Sequence, residues 1–94
     1  MKTIYLDLTD CKTLYDLHMR IRVAFNFPEW YGKNWNAFWD LLWSECDADK
    51  LIITGEHTMS AEFDRELATM HEILEDMVQF CEDTKQPFSY EIRS

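Results

Sequence analysis

Three short strand-like runs stand far apart in this chain, and the segments between them have the spacing of helices. Ile4, Leu6 and Leu8 alternate with Tyr5 and Asp7, the period-two pattern of a half-buried strand. The run "KLIITG", from Lys50 to Gly55, is nearly continuous in apolar residues and fits a strand covered on both faces. In "PFSYEI" the apolar residues alternate again, at Phe88, Tyr90 and Ile92. Antiparallel neighbours can be joined by a tight hairpin, whereas parallel neighbours need a crossover of about a dozen residues or more. The spacing therefore predicts a small α/β domain whose three strands pair in parallel.

The intervening segments supply about four helices. After Thr13, a candidate cap, Leu14, Leu17, His18, Ile21 and Phe25 fall on one helical face. This helix should stop near Asn26, because Pro28 disfavours helical geometry in the residue before it. "PEWYGKN" is a turn that feeds a second helix capped near Asn34. "HTMSAEFD" suits one irregular helical turn. From Asp64 to about Asp83, Leu67, Met70, His71, Leu74, Met77, Val78 and Cys81 trace the apolar face of the longest helix. Glu62, Asp64 and Glu66 fall at its start, where negative charge favours the helix dipole, while Glu72, Glu75 and Asp76 form a solvated face.

Composition narrows the functional classes. The 94 residues make one domain, 1–94, long enough to bury roughly 60 to 65% of the unfolded surface without staples or metal. A net charge of −9 repels phosphate backbones and anionic lipid and draws in cationic partners, which argues against direct nucleic-acid or membrane binding. Cys11, Cys46 and Cys81 are odd in number and form no CxxC or CxxH pattern, so they read as reduced thiols. The start "MKTIYLDLTD" lacks the long apolar run of a signal peptide, and nothing approaches the roughly 20 apolar residues of a membrane span. The expectation is a soluble, cytoplasmic protein, monomeric when free, with no metal or cofactor.

The stretch "FPEWYGKNWNAFWDLLW", Phe27 to Trp43, holds all four tryptophans of the chain. On a helical wheel, Trp35, Phe38, Leu42 and Cys46 occupy an arc of roughly 80 degrees. Trp39 and Trp43 lie beyond one edge and Leu41 beyond the other, so the apolar arc totals roughly 200 degrees, about twice what one side of a core needs. Next to Trp39 and Trp43 runs a polar stripe of Asn36, Asp40 and Ser44. Taken singly, each ring reads as core or core periphery and Asp40 as a solvated carboxylate. As a set, with Trp30 and Tyr31 in the preceding loop, they have the composition of a protein-binding hot spot.

These residues resemble the signature of the barstar family, intracellular protein inhibitors of bacterial ribonucleases. The family pattern is approximately Leu-Pro-Glu-Tyr-Tyr-Gly, an Asn two positions later, then Ala-x-Trp-Asp-x-Leu. Here it reads Phe27, Pro28, Glu29, Trp30, Tyr31, Gly32, Asn34, Ala37, Trp39, Asp40 and Leu42. The run Asp16, Leu17 and His18 also matches the family's first helix, while after Asp47 only the order of elements matches. The resemblance implies a barstar-like fold, a three-stranded parallel sheet packed with helices. It also implies that the second helix and the loop before it plug a ribonuclease active site, with Asp40 in the phosphate-binding pocket. The partner-binding candidates are then Trp30, Tyr31, Asn34, Asn36, Trp39, Asp40, Trp43 and Ser44, and for a second acidic contribution from the last helix Glu82, Glu75 or neither. Three departures bear on partner choice. Asn36 stands where an aspartate is common, Trp30 replaces a tyrosine, and Ser44 with Glu45 replaces a Gly-Trp pair.

Two other function classes compete. His18, His57 and His71 coexist with cysteines and carboxylates, yet GxSxG, HExxH and phosphate-loop patterns are missing, and two glycines leave little scope for a phosphate cradle. His18 and His71 lie on apolar faces, where a hydrogen-bonded core histidine is the commoner explanation. Enzymatic activity is not expected. The stronger alternative keeps the fold and changes the target, so that the protein neutralises a toxin other than a ribonuclease, or binds another basic protein. Either way the expected partner is a basic protein, foremost a ribonuclease toxin, held in a 1:1 complex.

Overall fold

A computed structural model describes residues 2–45 and 48–93. In chain order the elements are β1 (Thr3–Asp7), α1 (Leu14–Phe25), α2 (Trp35–Glu45), β2 (Lys50–Thr54), α3 (Asp64–Asp83) and β3 (Ser89–Arg93). Two single-turn 3-10 segments, Glu56–Thr58 and Ala61–Phe63, occupy the stretch expected to hold one helical turn. The described residues thus form three α-helices rather than about four, because the fourth winds too tightly and too briefly to be an α-helix. Cys46, placed by the wheel on the apolar arc, and Asp47 lie outside the described residues.

The sheet has the order β1-β2-β3 with both pairings parallel, as the long crossovers allow. Its register aligns Ile4, Leu51 and Tyr90 in one row and Leu6, Ile53 and Ile92 in the next. Ile4, Leu6, Leu51 and Ile53 join one core with Leu17, Ile21 and Phe25 of α1, Phe38, Leu41 and Leu42 of α2, and Met70, Leu74 and Met77 of α3. Tyr5, Ile52 and Glu91 form a row on the opposite face. Ile52 is buried there but stands outside the core cluster, between an exposed tyrosine and a glutamate that pairs with Lys50 and Arg93. The expectation that β2 is covered on both faces holds for burial. On this second face, however, the neighbours in the register are side chains of β1 and β3.

Helix α1 begins where expected. The hydroxyl of Thr13 accepts the amide N–H of Asp16 at 3.0 Å, and Leu17, His18, Ile21 and Phe25 are buried. It closes at Asn26, which takes a left-handed φ of 58°, while the N–H of Phe27 reaches back to the carbonyl of Arg22 at 2.9 Å. Arg20 fastens the helix to the free edge of β1. Its guanidinium forks onto Asp16 and donates to the carbonyls of Asp7 at 3.1 Å and Thr9 at 2.7 Å. The end of β2 requires glycine, since Gly55 has a φ of 83° and a Cβ there would lie 2.3 Å from the amide nitrogen of Thr9. No described helix is long and apolar enough to cross a membrane.

Candidate functional site

The segment from Phe27 to Trp43 divides into an inward and an outward part. Inward, Phe27 stacks on Phe25 with ring centroids 5.1 Å apart, and Phe38 sits edge-on to Phe25, Phe27 and Trp35. Tyr31 is 2% exposed, and its hydroxyl lies 2.7 Å from Nδ1 of His18, itself 1% exposed. Burial pushes the Tyr31 phenol above its ordinary range, so it is a neutral hydrogen-bonding group. Burial also lowers the pKa of His18; Glu66 opposes that shift and Lys33 adds to it. The Trp35 ring packs on His18 at 4.5 Å, and its indole N–H donates to the carboxylate of Glu66 at 2.7 Å. His18 is thus a core histidine with a partner, as expected.

Asn34 fixes the start of α2. Its side-chain oxygen accepts the N–H of Ala37 at 2.8 Å, and its amide nitrogen donates back to the carbonyl of Gly32 at 3.2 Å. The amide group is spent on the cap. Near the other end of α2, the hydroxyl of Ser44 donates to the carbonyl of Asp40 one turn earlier, leaving only lone pairs for a partner.

Outward, Trp30 is 73% exposed and Trp43 49% exposed. Asn36 and Asp40 are exposed between them, and their side chains make no hydrogen bond or ion pair to any described residue. Trp43 is tilted against Phe80 of α3 with ring centroids 6.2 Å apart, so the aromatic surface runs from α2 onto α3. Trp39 is half-buried and packs against the edge of the core.

Two of the sequence-derived candidates are not on this surface. Tyr31 faces the interior, because a ring beside His18 and Phe27 buries more apolar area than a ring in the loop exposes. Glu82 falls on a different flank of α3 from the one that meets α2. The flank that meets α2 carries Glu66 and Phe80. The other carries His71, bonded to Glu56 at 2.9 Å, and Glu75, which accepts the Tyr90 hydroxyl. At about 100 degrees per residue, Glu82 lies with Glu75 and His71, roughly 160 degrees from Phe80. The acid one turn before Phe80 is Asp76. The sequence pattern places Asp76 on a solvated face and gives Phe80 no role. Phe80's departure from the apolar face of its helix was the signal available.

The arrangement suits protein recognition. It presents aromatic area and an unpaired carboxylate on a capped helix of a chain with net charge −9. Among the described residues, no group of three or more histidine, cysteine or acidic side chains is arranged to hold a metal ion. Cys11 and Cys81 are buried, and burial pushes both thiols up, away from reactivity.

Comparison with known proteins finds a matching family and a similar protein. The family model described as Barstar (barnase inhibitor) matches residues 1–93. The Bacillus subtilis (strain 168) protein called "Putative ribonuclease inhibitor YrdF" is 27% identical over 88 residues, which is 94% of each chain.

Proposed function

The chain belongs to the barstar family, and from that premise we propose that it is an immunity protein that blocks the active site of a basic bacterial ribonuclease with α2 and the loop before it. The observation that carries this reading is the exposed pair Asn36 and Asp40, without partners among the described residues and flanked in the chain by exposed Trp30 and Trp43, on a helix whose start is fixed by the Asn34 cap. A carboxylate on a rigid helix can take the place of a scissile phosphate, and arginine or histidine side chains of the nuclease would pair with it in a desolvated pocket. Trp30, Trp43 and Phe80 then exclude water around that pair. Asp76 and Asp83, each one turn from Phe80 on α3, are the acids that would add a second contact. The acidic field speeds capture of a cationic enzyme, and that effect weakens with salt.

A second reading keeps the surface and changes the target to a basic toxin of another kind. It is favoured by Asn36, whose neutral amide offers a donor as well as an acceptor where a purely phosphate-like surface would present another charge. An RNA-degradation assay separates the two. Barnase is the first probe and the basic nuclease that co-purifies with the chain is the second, each titrated with the protein. Stoichiometric loss of RNA cleavage at a 1:1 ratio is expected. Capture of a basic toxin whose RNA cleavage is unaffected, or absent, would overturn the ribonuclease reading and leave the second one.

A further inference from the structure

The start of the proposed recognition helix is tied to the body of the protein through one side chain of α3. The Trp35 indole N–H donates to Glu66 at 2.7 Å, in a partly buried setting. The same indole lies against His18 at 4.5 Å, and His18 is bonded at 2.7 Å to the Tyr31 hydroxyl. Four elements are therefore joined in one line: α3 through Glu66, α2 through Trp35, α1 through His18, and the loop through Tyr31. Tyr31 is the chain neighbour of exposed Trp30, and Trp35 that of exposed Asn36. Each outward residue thus has an inward anchor one position away.

We propose that Glu66 is a positioning residue of the recognition surface, which sets the seat of α2 and of the Trp30 loop through the Trp35 indole and the His18–Tyr31 pair. The proposal rests on the reading of α2 as the binding element, but the geometry it describes can be tested without a partner. An indole has a single N–H donor, so the hydrogen bond to the carboxylate fixes the rotation of the ring about its long side. His18 lies tilted against that ring, and the Tyr31 hydroxyl meets His18. Removing the acceptor frees the ring and slackens the anchors beneath both Trp30 and Asn36. A dipole role for a first-turn acid would be kept by any negative charge at this helix start, whereas positioning requires an acceptor at this atom.

The test compares Glu66→Leu, Glu66→Gln and Trp35→Phe with wild type. The first readout is native-state amide exchange at Tyr31, Ala37 and Phe38, whose N–H groups are bonded to Pro28, Asn34 and Asn34 respectively. Glu66→Leu and Trp35→Phe should accelerate these amides by about tenfold and leave the strands and the middle of α3 unchanged. Glu66→Gln, which keeps an acceptor, should restore most of the protection. Uniform acceleration throughout the molecule would reduce Glu66 to a stability contact, and no acceleration would remove the link; either result overturns the proposal. The second readout is binding to whichever ribonuclease the wild type inhibits, where Glu66→Leu should raise the off-rate about tenfold with the on-rate nearly unchanged. Wild-type binding at the same off-rate as Glu66→Leu overturns the proposal. If the wild type inhibits no ribonuclease, the functional reading fails by itself, and the exchange data still decide the role of Glu66.

Discussion

Trp30 and Tyr31 are neighbours in the chain, and one is 73% exposed while the other is 2% exposed. The same division runs through α2, where Trp35 and Phe38 face a network of rings and hydrogen bonds while Asn36, Asp40 and Trp43 face solvent. Both regions combine aromatic rings with polar groups. They differ in whether the polar groups are satisfied. Inward, the hydroxyl of Tyr31, the Nδ1 of His18 and the indole N–H of Trp35 each have a partner, which low-dielectric surroundings demand. Outward, Asn36 and Asp40 have none among the described residues. Aromatic crowding alone thus does not separate core from surface, and polar groups left open beside exposed rings mark the outward side.

Substitutions on the two sides should separate stability from binding. Phe38→Ala is expected to have the largest effect, lowering unfolding free energy by about 3 to 5 kcal/mol in urea titrations, since its ring touches three others in the core. Asp40→Ala should leave that free energy within about 0.5 kcal/mol of wild type. It should nevertheless weaken ribonuclease inhibition by about a hundredfold, because the cations of the target would be buried without their counter-charge. Inhibition constants and melts on the same samples would show it. If Asp40→Ala inhibits as well as wild type, the outward region is not a phosphate mimic.

The next effect is at the boundary between the regions. Tyr31→Phe deletes one buried hydroxyl and leaves Nδ1 of His18 without its partner, at an expected cost of about 1 to 3 kcal/mol in stability. Trp30→Ala, one position earlier, should change stability by less than about 0.5 kcal/mol and act on the off-rate of the complex. Similar stability losses in both variants would erase the distinction between the regions.

The smallest effect is a pH dependence confined to the inward region. Burial lowers the folded-state pKa of His18 below its ordinary value of 6.5. Its contribution is therefore fully present above pH 6.5, where both folded and unfolded chains hold the ring neutral. Below that pH the unfolded chain takes up a proton that the folded chain resists. Stability then falls until the folded value is passed, by roughly 1 kcal/mol for each pH unit in that window. Urea midpoints measured between pH 7.5 and 5.5 should show the decline in wild type and a shallower one in His18→Asn (about one proton's difference). Equal slopes would mean that the imidazole is not held neutral by the core.

Much of the fold was legible because its signals are local. The cap at Thr13, the stop at Asn26, the bounds of the long helix and the alternation before Leu8 follow from backbone rules that act within a few residues. Parallel pairing followed from the distance between strands. The site was legible in outline for the same reason, since helical spacing puts Asn36 and Asp40 on one stripe. The burial of Tyr31 and the flank that Glu82 occupies were not legible, because their surroundings belong to other elements. Nothing near Tyr31 in the chain announces His18 as its partner, and the flank of α3 that meets α2 is decided by how two helices pack.

By itself, the sequence determined the elements, their order, the parallel sheet, the acidic field and an aromatic helix with a polar edge. Only the tertiary structure decided which aromatic residues became core and that Phe80 extends the exposed surface from Trp43. The physical reason is the range of the forces involved. Propensity, capping and periodicity act through bonds close along the chain, while burial and hydrogen-bond satisfaction depend on which distant side chains fill the remaining space.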